Sequence, residues 1–190
     1  MAEEKPRIFQ SGRDIVLSLS AIIVVMAVTV GFTGMCSYGR GNPEFGPVQE
    51  VDASVFFGLE ARAMSFPVRL PEAPEGWIAN SARRTAVKGE PAPVVGWVVG
   101  KTGYVQMTQT SVSVKDVVEN FDEHPRQLTD SYDVEGIKVE LFHSDERDVR
   151  DLRIIDLGDV RVVYTGAATQ AEFNDIIART IKAQPLPSSL

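Results

Sequence analysis

The stretch Val94 to Thr110, VVGWVVGKTGYVQMTQT, decides the fold. Its two arms, Val94 to Val99 and Tyr104 to Thr110, are rich in β-branched and aromatic residues. Gly100-Lys101-Thr102-Gly103 between them is a turn former, so the stretch predicts a β-hairpin. Ser113 follows at once, with Asp116 three residues on, and Val114, Val117, Val118 and Phe121 recur at helical spacing. A capped helix therefore leaves the hairpin and stops before Pro125.

The plan returns downstream. Ile137 to Phe142 alternates apolar and polar, and Asp151 to Leu157 and Val160 to Thr165 flank Gly158-Asp159, a two-residue turn of the kind that closes tight hairpins. Thr169 with Glu172 forms a capping box, and Phe173, Ile176, Ile177 and Ile181 mark the buried face of a last helix that ends before Pro185. Each half reads as strand, strand, strand, helix. The expectation is an α+β domain, an antiparallel sheet of about six strands with the helices packed on one face.

Working back toward the N-terminus, Pro74-Glu75-Gly76-Trp77 and Phe66-Pro67-Val68-Arg69-Leu70-Pro71 must be extended, because each proline pushes its predecessor out of the helical region. Before them, Asp52 caps a helix in which Phe56, Leu59 and Ala63, with Phe57 and Met64, recur at helical spacing. Residues 38–51 hold Gly39, Gly41, Asn42, Pro43, Gly46 and Pro47 and read as a tether.

Ile15 to Ser37 is a run of 23 residues without a charge. As a helix it would be roughly 34 Å long, enough for a hydrocarbon core of about 30 Å. A cleaved signal peptide fits less well, because the run exceeds the usual apolar length and no A-x-A-like site follows it. A lipoprotein signal would lipidate Cys36, but bulky Met35 precedes it. Lys5, Arg7 and Arg13 lie before the run, which puts the N-terminus inside and the remainder outside by the positive-inside rule. The expected organisation is a cytoplasmic tail (1–14), a transmembrane helix (15–37) in contact with the lipid bilayer, the tether, and an extracytoplasmic domain (52–190).

The chain has 190 residues, a net charge of -7 and one cysteine. The acidic balance argues against nucleic acid as a partner, since phosphate binding needs a cationic footprint. A single cysteine excludes an internal disulfide framework.

No motif carries an assignable chemistry. Gly100-Lys101-Thr102 lacks the earlier glycine of a P-loop and leads into a strand instead of a helix. His124 and His143 have no companion at metal-ligand spacing; His124 reads as a helix C-terminal cap and His143 as a surface residue. Ser144 to Asp151 holds four carboxylates, but Arg147 and Arg150 would repel a cation, so it reads as a solvated connection between strands. No catalytic residue, cofactor or metal is expected. Trp77, Trp97 and Tyr104 are the one candidate set for a ligand or partner groove, with packing in the core as the competing reading.

Lys5-Pro6-Arg7 and Gly12-Arg13-Asp14 before the apolar run, Gly34-Met35-Cys36-Ser37 at its end, and the two proline motifs at Phe66 to Pro71 and Pro74 to Trp77 resemble the actinobacterial membrane proteins grouped as the domain-of-unknown-function 4245 family. The resemblance extends from the N-terminus to the last helix. It implies a single-pass envelope protein and brings no activity with it. Three functions are therefore weighed: a non-enzymatic binding, accessory or scaffold protein of the cell envelope, a small-molecule or lipid binder with a pocket between sheet and helices, and an enzyme using carboxylates such as Asp145 or Glu146.

Overall fold

A computed structural model describes residues 12–32 and 48–188 of the chain. The expected cytoplasmic tail up to residue 11, the end of the apolar run from residue 33, Cys36 and the expected tether up to residue 47 lie outside the described residues. The chain forms two units, Met1–Gly46 and Pro47–Leu190.

The first unit contains helix α1 (Gly12–Phe32). Its described apolar side chains are exposed, among them Ile15, Leu19, Ile22, Ile23 and Met26. Thr29 donates its hydroxyl to the Val25 carbonyl one turn back (2.6 Å), which lets a polar side chain sit in an apolar helix. Among the described residues no helix is long and apolar enough to cross a membrane. The expected span, 15–37, continues past the last described residue of α1.

The second unit is the α+β domain. After helix α2 (Ala53–Ala63) come β1 (Trp77–Val87), β2 (Glu90–Val99) and β3 (Gly103–Thr110), then α3 (Val114–Asn120), then β4 (Gln127–Val134), β5 (Ile137–His143), β6 (Leu152–Asp156), β7 (Arg161–Ala167) and α4 (Gln170–Lys182). The strands form one antiparallel sheet in the order β1-β2-β3-β7-β6-β5-β4. Two meanders thus meet where β3 pairs with β7, joined by α3.

The sheet has seven strands where about six were expected, and the second half supplies four of them. No run of the sequence marks either edge strand: β1 (Trp77–Val87) and β4 lie at the two edges of the sheet, and most side chains of β4 are exposed with no apolar alternation. The turns β1–β2 (Lys88-Gly89) and β4–β5 (Glu135-Gly136) place both central residues at positive φ, the type I′ geometry that matches strand twist.

The helices cover both faces, which corrects the one-face expectation. Val95, Trp97, Met107, Val139, Ile155, Val162 and Tyr164 point to one face and pack with Phe57 and Ala61 of α2 and Phe173, Ile176 and Ile177 of α4. Their strand neighbours point the other way: Ala92, Leu152, Ile154 and Val163 pack with Val112 and with Val117 of α3. Alternation along each strand creates two apolar faces, and each needs a cover.

The caps follow the sequence closely. Asp52 accepts from the Ser54 and Val55 amides (3.0 and 3.1 Å), Ser113 from the Asp116 amide, and Thr169 and Glu172 close a reciprocal capping box. The buried face of α2 differs from expectation. Ala53, Phe57 and Ala61 face the sheet, whereas Leu59 and Ala63 are exposed. Alanines on either side of Phe57 let the helix approach closely. Glu60, buried beside them, accepts two 2.8 Å bonds from Arg84 of β1.

Candidate functional site

The aromatic set divides between the two sides of the sheet. Trp97 is 2% exposed on the face covered by α2 and α4, and Trp77 packs against it with ring centroids 6.3 Å apart at 60°. Tyr104 stands opposite Val98, one register position from Trp97, so its ring projects from the other face. There its tip occupies the space above Gly96, where a Cβ would collide with it, and its hydroxyl lies 3.5 Å from Ser81 Oγ. Trp77 and Trp97 are brought together as core, and Tyr104 is not part of a shared groove. The period-two alternation of a hairpin dictates this for residues at 97 and 104 when Trp97 pairs with Val105.

The proline motif Phe66 to Pro71 is a strap bound by backbone. Phe66 and Val68 are buried in the core, and the fully buried Gln109 of β3 meets the Arg69 backbone twice, its Oε1 accepting from the Arg69 amide (2.9 Å) and its amide nitrogen donating to the Arg69 carbonyl. The Arg69 side chain forms a two-point pair with Asp159 in the β6–β7 turn (3.2 and 3.1 Å), and the Leu186 amide donates to the Val68 carbonyl (2.8 Å). A buried amide side chain that satisfies both its own groups and those of an irregular segment fixes that segment to the sheet.

A charged cluster lies where residues 121–126, after α3, meet the β5–β6 loop, 144–151. Arg126 anchors it. Its side chain is 3% exposed and donates to both carboxylate oxygens of Asp122 (2.6 and 2.8 Å), to the His124 carbonyl (3.2 Å) and to the Arg150 carbonyl (3.1 Å). Partial burial pushes the Asp122 carboxyl up. Hydrogen bonds from Arg126 and from the His124 amide, and the charges of both residues, outweigh burial and hold the carboxyl below the usual aspartate range.

His124 does not cap α3. Its Nδ1 lies 2.6 Å from Glu146 Oε2, and His143 Nδ1 lies 2.7 Å from Asp151 Oδ1. Between the loop and β4 is a cleft of about 130 Å³ lined by Gln127, Thr129, His143, Ser144 and Glu146. Ser144 is buried and its hydroxyl accepts from the Glu146 amide (3.3 Å), which shapes the loop. Among the described residues no group of three or more His, Cys, Asp or Glu side chains could hold a metal ion, and neither histidine hydrogen-bonds a hydroxyl. Ser144 to Asp151 is the largely exposed connection between strands that the sequence predicts, and two of its carboxylates, Glu146 and Asp151, are also partners of the histidines. The pairs join residues 22 and 8 apart, and only the sheet topology brings them together.

These features define a class: an α+β domain on a seven-stranded antiparallel sheet covered on both faces, with its proline strap bound to the sheet. The chain belongs to the DUF4245 family, described as a protein of unknown function, whose model matches residues 7–180. No curated protein and no solved structure matches the chain.

Proposed function

We propose that this chain is a membrane-anchored, extracytoplasmic protein of the actinobacterial cell envelope that binds or scaffolds a partner without catalysis. The observation that carries the reading is the 23-residue uncharged run Ile15 to Ser37, whose described part is helical with its apolar side chains exposed. An all-round apolar helix gains nothing from water, and a bilayer is the solvent that suits it. Lys5, Arg7 and Arg13 before the run support the orientation with the N-terminus inside and the domain outside, by the positive-inside rule.

Binding at a surface is preferred to a lipid pocket because Trp97, Met107, Tyr164, Phe173, Ile176 and Ile177 fill the space between sheet and helices. It is preferred to catalysis because, among the described residues, neither histidine is hydrogen-bonded to a hydroxyl, so no base is seated on a nucleophile. Crosslinking in intact cells, followed by identification of the linked species, tests the proposal. Reproducible links from the domain to another envelope protein are expected. Recovery of this chain alone contradicts the scaffold role.

A further inference from the structure

Helix α2 has a second face. Ala53, Phe57, Glu60 and Ala61 are buried against the sheet. On the opposite side Asp52, Val55, Leu59 and Arg62 recur at intervals of three, four and three residues, the spacing of a helix–helix seam. Val55 and Leu59 are the most exposed of the large apolar side chains described in the second unit, 61% and 59%. Asp52 and Arg62, both exposed, stand at the two ends of the seam. Asp52 uses Oδ1 for its capping bonds with Ser54 and Val55, which leaves Oδ2 for another donor. Arg62 makes no hydrogen bond or ion pair among the described residues. We propose that a second copy of this chain docks on this face, the two α2 helices pairing antiparallel about a two-fold axis over position 57.

The charges select both the occupant and its direction. Antiparallel pairing sets Val55 of one copy against Leu59 of the other and Asp52 against Arg62, and the two-fold symmetry repeats each contact. The order acidic, apolar, apolar, basic is thus complementary to itself when reversed. Parallel helices would instead set Asp52 on Asp52 and Arg62 on Arg62, like charge on like. Antiparallel pairing also places the positive end of each helix dipole beside the negative end of the other. A lipid surface or an apolar groove of another protein would match Val55 and Leu59 but leaves the opposite charges at the two ends without a role. Gly58 flanks the seam with open space above it, so a second backbone meets no side chain there. The helix has 11 residues, so the pair covers less than the roughly 1,200 Å² of a stable complex and is a weak contact, favoured where copies are crowded.

Short-range crosslinking of the full chain in detergent micelles tests the pairing. Cys36, the single cysteine, is first changed to Ser. Val55→Cys and Leu59→Cys are then made as separate chains with tags of different size, and a short bis-maleimide links cysteines that face each other. The mixture is expected to give the mixed dimer at roughly fivefold or more the yield of a Lys115→Cys collision control, a position 82% exposed on α3. Either variant alone is expected to stay near that control, because antiparallel pairing sets position 55 against position 59. Arg62→Glu, which brings like charges together, and Asp52→Asn, which keeps a capping oxygen, are each expected to lower the mixed yield. The pattern is read in micelles, so it depends neither on a bilayer nor on an envelope partner. A mixture no better linked than the control overturns the proposal, as do equal yields from each variant alone, which mean parallel or random contact. So does an undiminished mixed yield in a folded Arg62→Glu chain.

Discussion

Gly166 lies in β7 at φ 142°, and a Cβ there would stand 2.9 Å from the Tyr104 carbonyl carbon, against backbone that cannot swing aside. Gly166→Ala is therefore expected to destabilise the domain by about 1–3 kcal/mol, read as a lowered midpoint in urea. Three aspartates set a second prediction at this scale. The Ser54 hydroxyl and the Val55 amide lower Asp52, Lys88 and then Ser113 lower Asp116, and the Arg126 contacts lower Asp122 against its burial. Each binds its proton less readily in the folded chain, so the unfolded chain takes up more protons as the pH falls. The stabilisation is complete above the ordinary aspartate range, near about pH 4, and is lost as the pH falls through the lowered folded values. Melting temperatures at pH 6 and pH 3 are expected to show this loss. Asp122→Asn is expected to melt lower than the unmodified chain at pH 6 and to lose less on acidification.

At the scale of elements, what could be read from the sequence was what is local. The hairpin around Gly100 to Gly103, the turn at Gly158-Asp159 and the three caps depend on residues within a few positions of one another, and the structure reproduces them. The edge strands β1 and β4 escaped because strands with many side chains in water have no reason to alternate, and because Lys88-Gly89 and Glu135-Gly136 make their turns without the usual Asn-Gly or Asp-Gly signal. The side to which α3 packs was hidden for a different reason. Its apolar face was evident, but which face of the sheet receives it depends on the crossing from β3 to the far edge strand. The aromatic groove failed on the same point, since neither residue type nor propensity says which alternate of a hairpin is buried. Val117, fully buried on the second face, is the keystone of that packing. Val117→Ala is expected to cost about 2 kcal/mol in chemical denaturation, the loss of two buried methyl groups together with the cavity they leave. A change near zero would mean that α3 does not cover this face.

At the scale of the whole molecule, charge and apolarity are distributed unequally along the sequence. Residues 1–14 balance Lys5, Arg7 and Arg13 against Glu3, Glu4 and Asp14, so the net -7 belongs to the residues beyond the uncharged run Ile15 to Ser37. A neutral N-terminal segment followed by an acidic domain is what the proposed membrane anchoring calls for, a domain held at a membrane without adhering to its anionic surface. Cell fractionation with an alkaline carbonate wash, combined with protease treatment of spheroplasts, is the most direct measurement. The full chain is expected to stay in the washed membrane pellet, to be digested from outside across residues 52–190, and to leave the pellet when residues 15–37 are deleted. A chain released by carbonate, or a domain protected from external protease until the membrane is broken, would contradict the anchored, outward-facing arrangement.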